Sequence, residues 1–506
     1  MVLGDRLYCS LELFNILDEQ KCVGVFRRTK SIKIKKTASA EATPTALRRT
    51  TMALGKRRDV QQELWIATGD LPKSPGHPFY AKLNEVLAEG QFDRWVEDLC
   101  RVHYAKHQGR PSIPPGAYFR MLLVGYFEGL DSQRGIAWRC RDSRSLCTFL
   151  GLGPTEESPE HSSLTRIRKR LPIEVHEEVF AFALKLAEEK GLLKGKTIAV
   201  DSTTLEANAA MKSIVRKDTG EDYKAYLKGL AEEAGIEEPT DDDLRRFDKE
   251  RSDKKVSNEE WESKTDPASR ITKMKDGTTH LAYKAEHAVD LESDFVVTAQ
   301  IYSADRSDHD TLKETVILAQ KKLIESGSSV AVEEVVADKG YHKAENLAWA
   351  ESMGLRTYIP EREDKHRRRW TDKPSEEKKA VYSNRRRVRG DRGKRLGRQR
   401  SELVERTFAH VCETGGARRS WLKGLIDVSK RYLIHVAARN FGLLMRKLFG
   451  IGTPRSLQMP SEALSGLLFA LWGCWLTMLE QDADGCGFEL GESFNDSRTQ
   501  ALTPAG

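Results

Sequence analysis

Two short apolar stretches of this chain end in an aspartate, and they constrain the fold more than any other feature. The first is Lys196-Thr-Ile-Ala-Val-Asp201-Ser-Thr-Thr204, and the second is Val335-Val-Ala-Asp338-Lys-Gly-Tyr341. β-Branched and small apolar residues in so short a run predict a buried strand. An acid at the end of such a strand sits where the sheet opens to solvent, so it can hold a metal ion without being buried unpaired.

The elements around these stretches predict a mixed sheet covered by helices. A strand, a hairpin, a helix, a strand, a helix and a strand follow one another, an alternation typical of α/β domains. The expected strands beyond the first are His280–Asp290 and Phe295–Tyr302, joined by a turn at Asp290–Asp294, then Val332–Asp338 and Leu355–Pro360; the expected helices are Asp308–Glu325, Ala344–Met353 and Val428–Phe449. The two aspartate strands should be parallel neighbours, which brings both carboxylates to one edge.

A third acid, Glu405, lies on the expected helix Ser401–Glu413. Val404, Phe408 and Val411 form the buried stripe of that helix, and Glu405 lies beside the stripe, from where it can reach the sheet edge. Three carboxylates from separate elements suit two Mg²⁺ ions about 3.5–4 Å apart, which activate an attacking hydroxyl and stabilise the leaving oxygen in phosphodiester cleavage. Our hypothesis is therefore one metal site acting on DNA.

Upstream of these strands, from about Gly55 to Leu171, apolar residues recur at helical spacings. The segment Ser163-Leu-Thr-Arg-Ile-Arg-Lys-Arg-Leu171 predicts a helix capped by Ser162 or Ser163. Its exposed face is expected to carry Arg166, Arg168, Lys169 and Arg170. Such a helix can lie against a DNA backbone or in a groove; the alternative is an ordinary solvated helix face.

Basic residues are concentrated late in the chain. The formal net charge is only +7, but nine Lys or Arg and one acid, Asp391, fall between Arg385 and Arg400. Such a concentration suits nucleic acid, and a solvated charge run is the equal alternative. We expect residues 361–400 to be a basic loop. Its candidate DNA-binding residues are Arg385, Arg386, Arg387, Arg398 and Arg400.

Several protein classes lack support in the sequence. The eight cysteines include no CxxC pair, which argues against a zinc ribbon or finger, and we expect them to be reduced cytosolic thiols. No GxxxxGK[ST] motif supports an ATP-driven mechanism. The uncharged run 463–479 has 17 residues, short of the roughly 20 that cross a bilayer, so we expect no membrane span.

Three segments stand apart from the two expected domains. Residues 1–54 are a basic leader, which either forms an arm for DNA or is not part of the folded protein. Residues 205–280 are polar and charge-dense, and we expect a mostly helical, exposed insertion in which Asp241–Asp243 begin a helix rather than bind a metal. Residues 451–506 are expected to be a tail.

The motifs together resemble the DDE transposases of bacterial insertion sequences. The matching segments are Ala199-Val-Asp201-Ser-Thr, Tyr283-Lys284 with His287, Ala337-Asp338-Lys-Gly340-Tyr341 and Val404-Glu405-Arg406-Thr-Phe408. The resemblance covers roughly Gly55 to Gly450. It implies a ribonuclease-H-like catalytic domain over residues 191–450, preceded by a helical DNA-binding domain over residues 55–190.

The resemblance also implies roles for individual residues. Asp201, Asp338 and Glu405 would be the catalytic, metal-binding triad for Mg²⁺, with Mn²⁺ as a substitute. Lys284, Tyr341 and Arg406 would be supporting or DNA-contacting residues. Many relatives carry a Lys seven residues beyond the Glu, where this chain has Cys412, so the residue that steadies the phosphate is open.

The expected protein is a bacterial transposase, cytoplasmic and nucleoid-associated, working as a homodimer on double-stranded DNA. Its substrates would be the terminal inverted repeats of its element and the target DNA. Two alternatives remain open from sequence: a DNA-binding derivative that has lost catalysis, and a metal-dependent nuclease of the same fold without strand transfer.

Overall fold

Helices alone build the described chain before residue 190. The computed structural model describes residues 76–105, 112–251, 256–274, 277–362, 370–371 and 373–457. The expected leader 1–54 and residues 458–506, with the uncharged run 463–479, lie outside the described residues. The N-terminal helices are α1 (Pro78–Glu89), α2 (Phe92–Cys100), α3 (Pro115–Glu128), α4 (Gln133–Arg141), α5 (Arg144–Phe149), α6 (His161–Arg170) and α7 (Ile173–Glu189).

These helices begin and end at residues with ordinary capping chemistry. Pro78 occupies the first turn of α1 behind His77, whose ring accepts from the Phe79 N–H, and Ser132 caps α4. Helix α3 is buried on nearly all sides and ends at Gly129, which adopts φ +69°. The helical prediction for this region is confirmed for the described residues. Among these, no helix combines the length and apolar character that a membrane crossing requires.

Helix α6 corrects two details of the sequence prediction. It begins after Glu160, so Ser162 and Ser163 lie inside its first turn and neither caps it. Arg168 is buried rather than exposed, and its Nε donates to Asp427 at 3.3 Å. Arg168 lies four residues after Leu164, one helical turn along the buried face, so it points toward the interior as Leu164 and Ile167 do. Arg166, Lys169 and Arg170 are exposed.

The central sheet contains three antiparallel pairings and two parallel ones. Its strands are β1 (Thr197–Glu206), β4 (Arg270–Lys273), β5 (Thr279–Asp290), β6 (Val296–Ser303), β7 (Glu334–Ala337) and β8 (Arg356–Tyr358), and a separate pair is formed by β2 (Ile214–Arg216) and β3 (Trp261–Ser263). The order is β4-β5-β1-β7-β8, and β6 also pairs with β5. β1 is antiparallel to β5 and parallel to β7.

This topology confirms the sequence prediction of the hairpin, the parallel aspartate strands and the mixed sheet. β5 and β6 are the hairpin, and β7 and β8 continue the sheet in the direction of β1. The central strands are apolar on both faces because helices cover both of them. The fold is ribonuclease-H-like.

The catalytic-domain helices are α10 (Asp308–Glu325), α11 (Ala344–Ser352), α12 (Ser375–Arg389), α13 (Asp391–Phe408) and α14 (Leu425–Phe449), with a π-helical segment at Ala409–Thr414. The predicted basic loop 361–400 is therefore wrong for most of its described length. Arg, Lys and Glu are good helix formers. The buried side chains of Ala380, Val381, Asn384 and Leu396 give α12 and α13 an inner face.

The insertion is also more than the exposed helical segment that we predicted. It contains the helices α8 (Tyr223–Glu233) and α9 (Asp241–Glu250), and its strand β4 extends the main sheet. Trp261 on β3 is 2% exposed and packs edge-on against Tyr223 and Tyr226. Asp241–Asp243 begin a helix as expected, and Thr240 and Asp243 form a capping box at the start of α9.

Candidate active site

The end of the β1–β7 pairing brings two aspartates together. The parallel register runs from Thr197–Glu334 to Val200–Ala337. Asp201 and Asp338 are the next residues on each strand, so both follow the last paired position. The sequence predicted that β1 would end at Asp201. The strand instead continues, because residues 201–206 stay paired with β5. What ends there is the pairing with β7, and that opens the sheet edge.

A polar cleft of about 690 Å³ lies at this edge. Asp201, Asp338 and Glu405 all line it, from β1, from the turn after β7 and from α13 respectively. The three predicted acids thus line one common cleft. The other charged residues of the lining are Lys284, Arg306, Asp308, Arg362, Arg400, Glu413 and Arg418.

Asp201 is held by two donors. The Arg400 Nη1 donates to its Oδ2 at 2.6 Å, and the Ser202 N–H donates to its Oδ1 at 2.8 Å. Burial raises the pKa of Asp201 above its ordinary value; Arg400 opposes this shift, and the charges of Asp338 and Asp308 add to it. A further cation near Asp201 would therefore stabilise the ionised form of its carboxylate.

Asp338 and Glu405 are less engaged by the protein. Asp338 is partly exposed and accepts from the Lys339 N–H at 2.5 Å. Glu405 is exposed, while Val404 and Phe408 on either side of it are buried. Helix α13 thus packs by its apolar stripe and leaves Glu405 on the flank facing the cleft, as predicted.

A buried histidine ties α13 to the sheet. His287 on β5 stacks on the Phe408 ring at 4.2 Å between centroids. Its Nδ1 lies 2.9 Å from Thr407 Oγ1, and its Nε2 lies 2.8 Å from the Tyr432 hydroxyl. Burial lowers the pKa of His287 to about 3, so the ring is neutral at physiological pH. These contacts set the position of the helix that carries Glu405.

A second buried network lies under the cleft. Glu286 is fully buried and accepts from Tyr341 Oη at 2.9 Å and from Thr311 Oγ1 at 2.6 Å, and Thr315 also donates to it. Lys284 Nζ lies 3.2 Å from the same carboxylate. Burial raises the pKa of Tyr341 well above its ordinary value. Tyr341 is 0% exposed, so of the two predicted roles only the supporting one fits. Lys284 is 7% exposed and lines the cleft.

Several cations predicted to bind DNA are bonded to other groups of the protein. Arg385 forms a two-pronged pair with Glu361 at 3.0 and 2.8 Å. Arg387 Nε donates to the Thr357 carbonyl at 3.0 Å. Arg406 Nη2 donates to Asp294 at 3.1 Å. Arg386 and Arg398 are exposed, and within the described chain neither forms an ion pair of 4.0 Å or less.

The donor chemistry of the cleft suits a hard divalent cation, since carboxylate oxygens are the ligands that Mg²⁺ and Mn²⁺ prefer. In the described ranges, however, no three His, Cys, Asp or Glu side chains stand close enough to hold a metal ion as they are placed. Arg400 on Asp201 and Lys284 on Asp308, at 2.6 and 2.9 Å, supply positive charge instead.

The sequence analysis missed several cleft residues. Asp308 looked like an ordinary acid in the first turn of a helix, and Arg306 looked like part of the loop before it. Arg418 lies beyond the π-helical segment, where it donates to Thr203 Oγ1 at 3.1 Å. Only Asp308 had a local signal, the acid two positions after Arg306 at the end of a strand-to-helix loop.

Two known protein families match the chain. The family described as a transposase DDE domain matches residues 193–441. The family described as a transposase domain (DUF772) matches residues 70–170. No curated protein and no solved structure matches the chain. The first range covers the mixed sheet with its cleft, and the second covers the upstream helices through α6.

Proposed function

The chain belongs to the DDE transposases, and on that premise we propose that it cuts DNA at the ends of a bacterial insertion sequence and joins those ends to target DNA. The observation that carries the proposal is the common cleft of Asp201, Asp338 and Glu405. These acids come from three elements separated by 137 (338 − 201) and 67 (405 − 338) positions along the chain.

In this proposal Asp201, Asp338 and Glu405 hold Mg²⁺, with Mn²⁺ as a substitute. The bound cation supplies activation of a water or a 3′-hydroxyl and stabilises the leaving oxygen. Asp338 and Glu405 have carboxylates that the protein leaves accessible, so they can take part without breaking a buried network. Asp201 must share its carboxylate with Arg400.

The cations around the acids bind and orient the DNA strand. Arg306, Arg400 and Arg418 line the same cleft as the three acids. Arginine pairs with phosphate through two parallel N–H donors, which fixes the strand as well as attracting it. When DNA is bound, Arg400 would divide its donors between Asp201 and a phosphate oxygen.

Exposed cations outside the cleft would extend the DNA contact. Arg386 and Arg398 on α12 and α13 and Arg166, Lys169 and Arg170 on α6 are exposed. These side chains would contact the backbone of the inverted repeats, which positions the end without reading its sequence. A homodimer that holds both ends of the element completes the proposal.

The test is a cleavage and joining assay on a duplex that carries one end of the element. Asp338→Asn should lower 3′-end cleavage by at least about 10³-fold, because the carboxylate is lost as a metal ligand, while end binding stays the same. Glu333→Gln is the matched control, since Glu333 lies on the same segment but pairs at the surface with Arg356 at 3.0 Å.

Full cleavage by the Asp338→Asn variant would remove the three acids from consideration. Cleavage without joining by the wild-type protein would point to the nuclease alternative. End binding without any cleavage would point to the inactive derivative.

A further inference from the structure

A cavity of about 260 Å³ lies between the upstream helices and α14. Tyr118 and Leu122 of α3 and Ile434 of α14 are among its apolar lining residues. Arg134 and Trp421 also line it, and both are exposed, so the cavity is accessible from solvent. Among the described residues it shares no lining residue with the cleft of the three acids. A role for this cavity is therefore separate from the proposed cutting and joining of DNA.

Three cations from two helices line the cavity, Arg168 of α6 and Lys430 and Arg431 of α14. Arg168 and Lys430 are 8% and 5% exposed. Their common acid is Asp427, which lies 3.3 Å from the Arg168 Nε and 3.8 Å from the Lys430 Nζ. Arg431 donates to the Gly416 carbonyl at 3.1 Å, and in the described chain it forms no ion pair of 4.0 Å or less. One carboxylate is thus shared by two buried cations, and a third cation beside them has none.

The acids around the cavity do not balance its cations. Within the part of the chain that the structure describes, Asp131 is the only acid of the lining, and it is exposed and accepts from the Trp421 Nε1 at 2.8 Å. The exposed Arg134 is a fourth lining cation. Two acids, Asp131 and Asp427, therefore stand against four cations. Buried charge is costly when it is not paired, so the cavity favours an anion.

Two buried nitrogens at the cavity have no hydrogen-bond partner among the described residues, Arg168 Nη1 and His435 Nδ1. Both residues line the cavity, and His435 is 4% exposed. Buried polar groups nearly always have a partner, so each of these nitrogens indicates a group that completes the site. A guanidinium nitrogen can only donate. The missing partner of Arg168 is therefore an acceptor.

Water explains this arrangement less well than an anion does. One water molecule occupies only about 30 Å³. Burial lowers the pKa of Arg431 to about 10 and holds the pKa of Lys430 below its ordinary value, and the charge of Arg168 lowers both further. A water molecule can accept from Arg168 but leaves this repulsion in place. An anion would accept from Arg168 and also offset the repulsion among the three cations.

We propose that the cavity binds a nucleotide, free or within a DNA strand, with its phosphate at Arg168, Lys430 and Arg431. Arginine pairs with phosphate through two parallel N–H donors. The apolar side chains of Tyr118 and Leu122 suit a sugar or base better than a bare phosphate. The cavity is slightly smaller than the roughly 300 Å³ at which pockets for drug-sized ligands begin, which fits a ligand of this size. The nucleotide would bridge α6 and α14.

The test is isothermal titration calorimetry of the full chain with thymidine 5′-monophosphate, in buffer without divalent metal or DNA. Arg168→Gln should weaken binding at least about tenfold, because a charged hydrogen bond to phosphate is lost. Lys447→Gln is the matched control, since it removes an exposed charge from α14 that does not line the cavity. Its affinity should stay within about twofold of wild type. No binding by wild type, or equal affinities of the two variants, would overturn the proposal.

A second variant decides the matter if thermal unfolding shows that Arg168→Gln is not folded. Arg431→Gln removes a cation that has no ion pair of 4.0 Å or less in the described ranges, so the fold should persist while nucleotide binding weakens several-fold. An affinity equal to that of Lys447→Gln would overturn the proposal. Thymidine, which lacks the phosphate, should bind wild type at least about tenfold more weakly than the monophosphate. Equal binding of the two ligands would contradict an anion site.

Competition separates the two sources of the nucleotide. An oligothymidine strand that displaces the monophosphate from wild type, and binds Arg168→Gln more weakly, identifies a nucleotide of a DNA strand as the ligand. A strand that binds without displacing the monophosphate identifies the free nucleotide. Asp338→Asn should bind the monophosphate as wild type does, so this inference and the proposed function fail separately.

Discussion

Strand β7 has an acid near each end, and the two acids differ in burial and in the number of hydrogen-bond donors around them. Glu334, at its start, is 1% exposed and accepts from Thr197 Oγ1 at 3.0 Å, from the Tyr358 hydroxyl at 3.0 Å and from Arg392 Nε at 3.1 Å. Asp338, one residue past its end, accepts from the Lys339 N–H at 2.5 Å, and in the described chain it forms no ion pair of 4.0 Å or less.

The contrast between Glu334 and Asp338 indicates which carboxylates of this sheet can bind a ligand. A carboxylate that the protein saturates with its own donors stabilises the sheet and has no lone pairs left for a ligand. A carboxylate with few donors at an open sheet edge lowers the stability of the fold somewhat, but its lone pairs remain available to a ligand. The pKa of Glu334 shows the effect of these donors: burial alone would raise it, but hydrogen bonds from Arg392, Tyr358 and Thr197 lower it.

The largest expected effect on folding comes from the saturated acid. Glu334→Gln should lower the free energy of unfolding at pH 7 by about 2 kcal/mol, because it removes the charge that three buried or half-buried donors address. The lowered pKa means that this stability is present above the ordinary carboxyl pKa and is lost as pH falls through the folded-state value. Urea unfolding of both proteins from pH 3 to pH 7 measures it.

Glu333→Gln is the control for that prediction. Glu333 is half exposed and pairs at the surface, so its loss should cost no more than about 0.5 kcal/mol. Equal losses of stability for Glu334→Gln and Glu333→Gln would contradict the stabilising role assigned to the donors around Glu334. DNA cleavage by Glu334→Gln at a temperature where it is folded should match wild type.

A smaller effect of opposite sign is expected at Asp201. Asp201→Asn should stabilise the fold at pH 7 by about 0.5–2 kcal/mol, the usual trade-off at functional sites, while abolishing cleavage. Its raised pKa means that the folded state binds the proton more tightly, so the wild type loses stability as pH rises through the ordinary carboxyl range. The stability gain of the variant should therefore shrink as pH falls through the folded-state pKa toward about pH 4, below which the wild-type carboxyl is protonated in both states.

Thermal unfolding of wild type, Asp201→Asn and the surface variant Asp305→Asn checks this sign. Asp305 is 42% exposed and pairs with Arg270 at 3.3 Å, so its substitution should change stability little and without the same pH dependence. A destabilised Asp201→Asn protein would mean that the Arg400 pair outweighs the cost of burial.

The smallest effect concerns exposed and paired arginines on α13. Arg398→Gln should reduce the slope of log binding constant against log salt by about 0.9 for duplex DNA, the value for one lost phosphate contact. Arg406→Gln should leave that slope unchanged, because Asp294 already engages its guanidinium at 3.1 Å. Fluorescence anisotropy over a salt series measures both, and equal slopes for the two variants would contradict the distinction.

Much of this fold was predictable because its strands carry unmixed signals. β1, β5, β6 and β7 are dense in β-branched and apolar residues, and the acids 201 and 338 mark where the β1–β7 pairing ends. The position of Glu405 followed from the apolar stripe of α13. Such local patterns predict the strands well, because a strand that is buried on both faces must be apolar along most of its length.

The errors arose where tertiary contacts decide the role of a charge. The run of arginines before Arg400 indicated a loop, yet Val381 and Leu396 give it two helices with inner faces. Arg168 was expected on an exposed helix face and Tyr341 as a supporting or DNA-contacting residue. Both side chains are buried, because Asp427 and Glu286 supply hydrogen-bond partners for them in the interior. Asp308 was missed because its partners lie far away in sequence.

The most direct test of the account maps the cation site on the chain itself. Full-length protein bound to an uncleaved end of the element is loaded with Fe²⁺ in place of Mg²⁺ and treated with ascorbate and peroxide, and the backbone cuts are located. We expect cuts next to Asp201, Asp338 and Glu405 that excess Mg²⁺ suppresses. Cuts near the two aspartates with none near Glu405, or cuts confined to other segments, would contradict it.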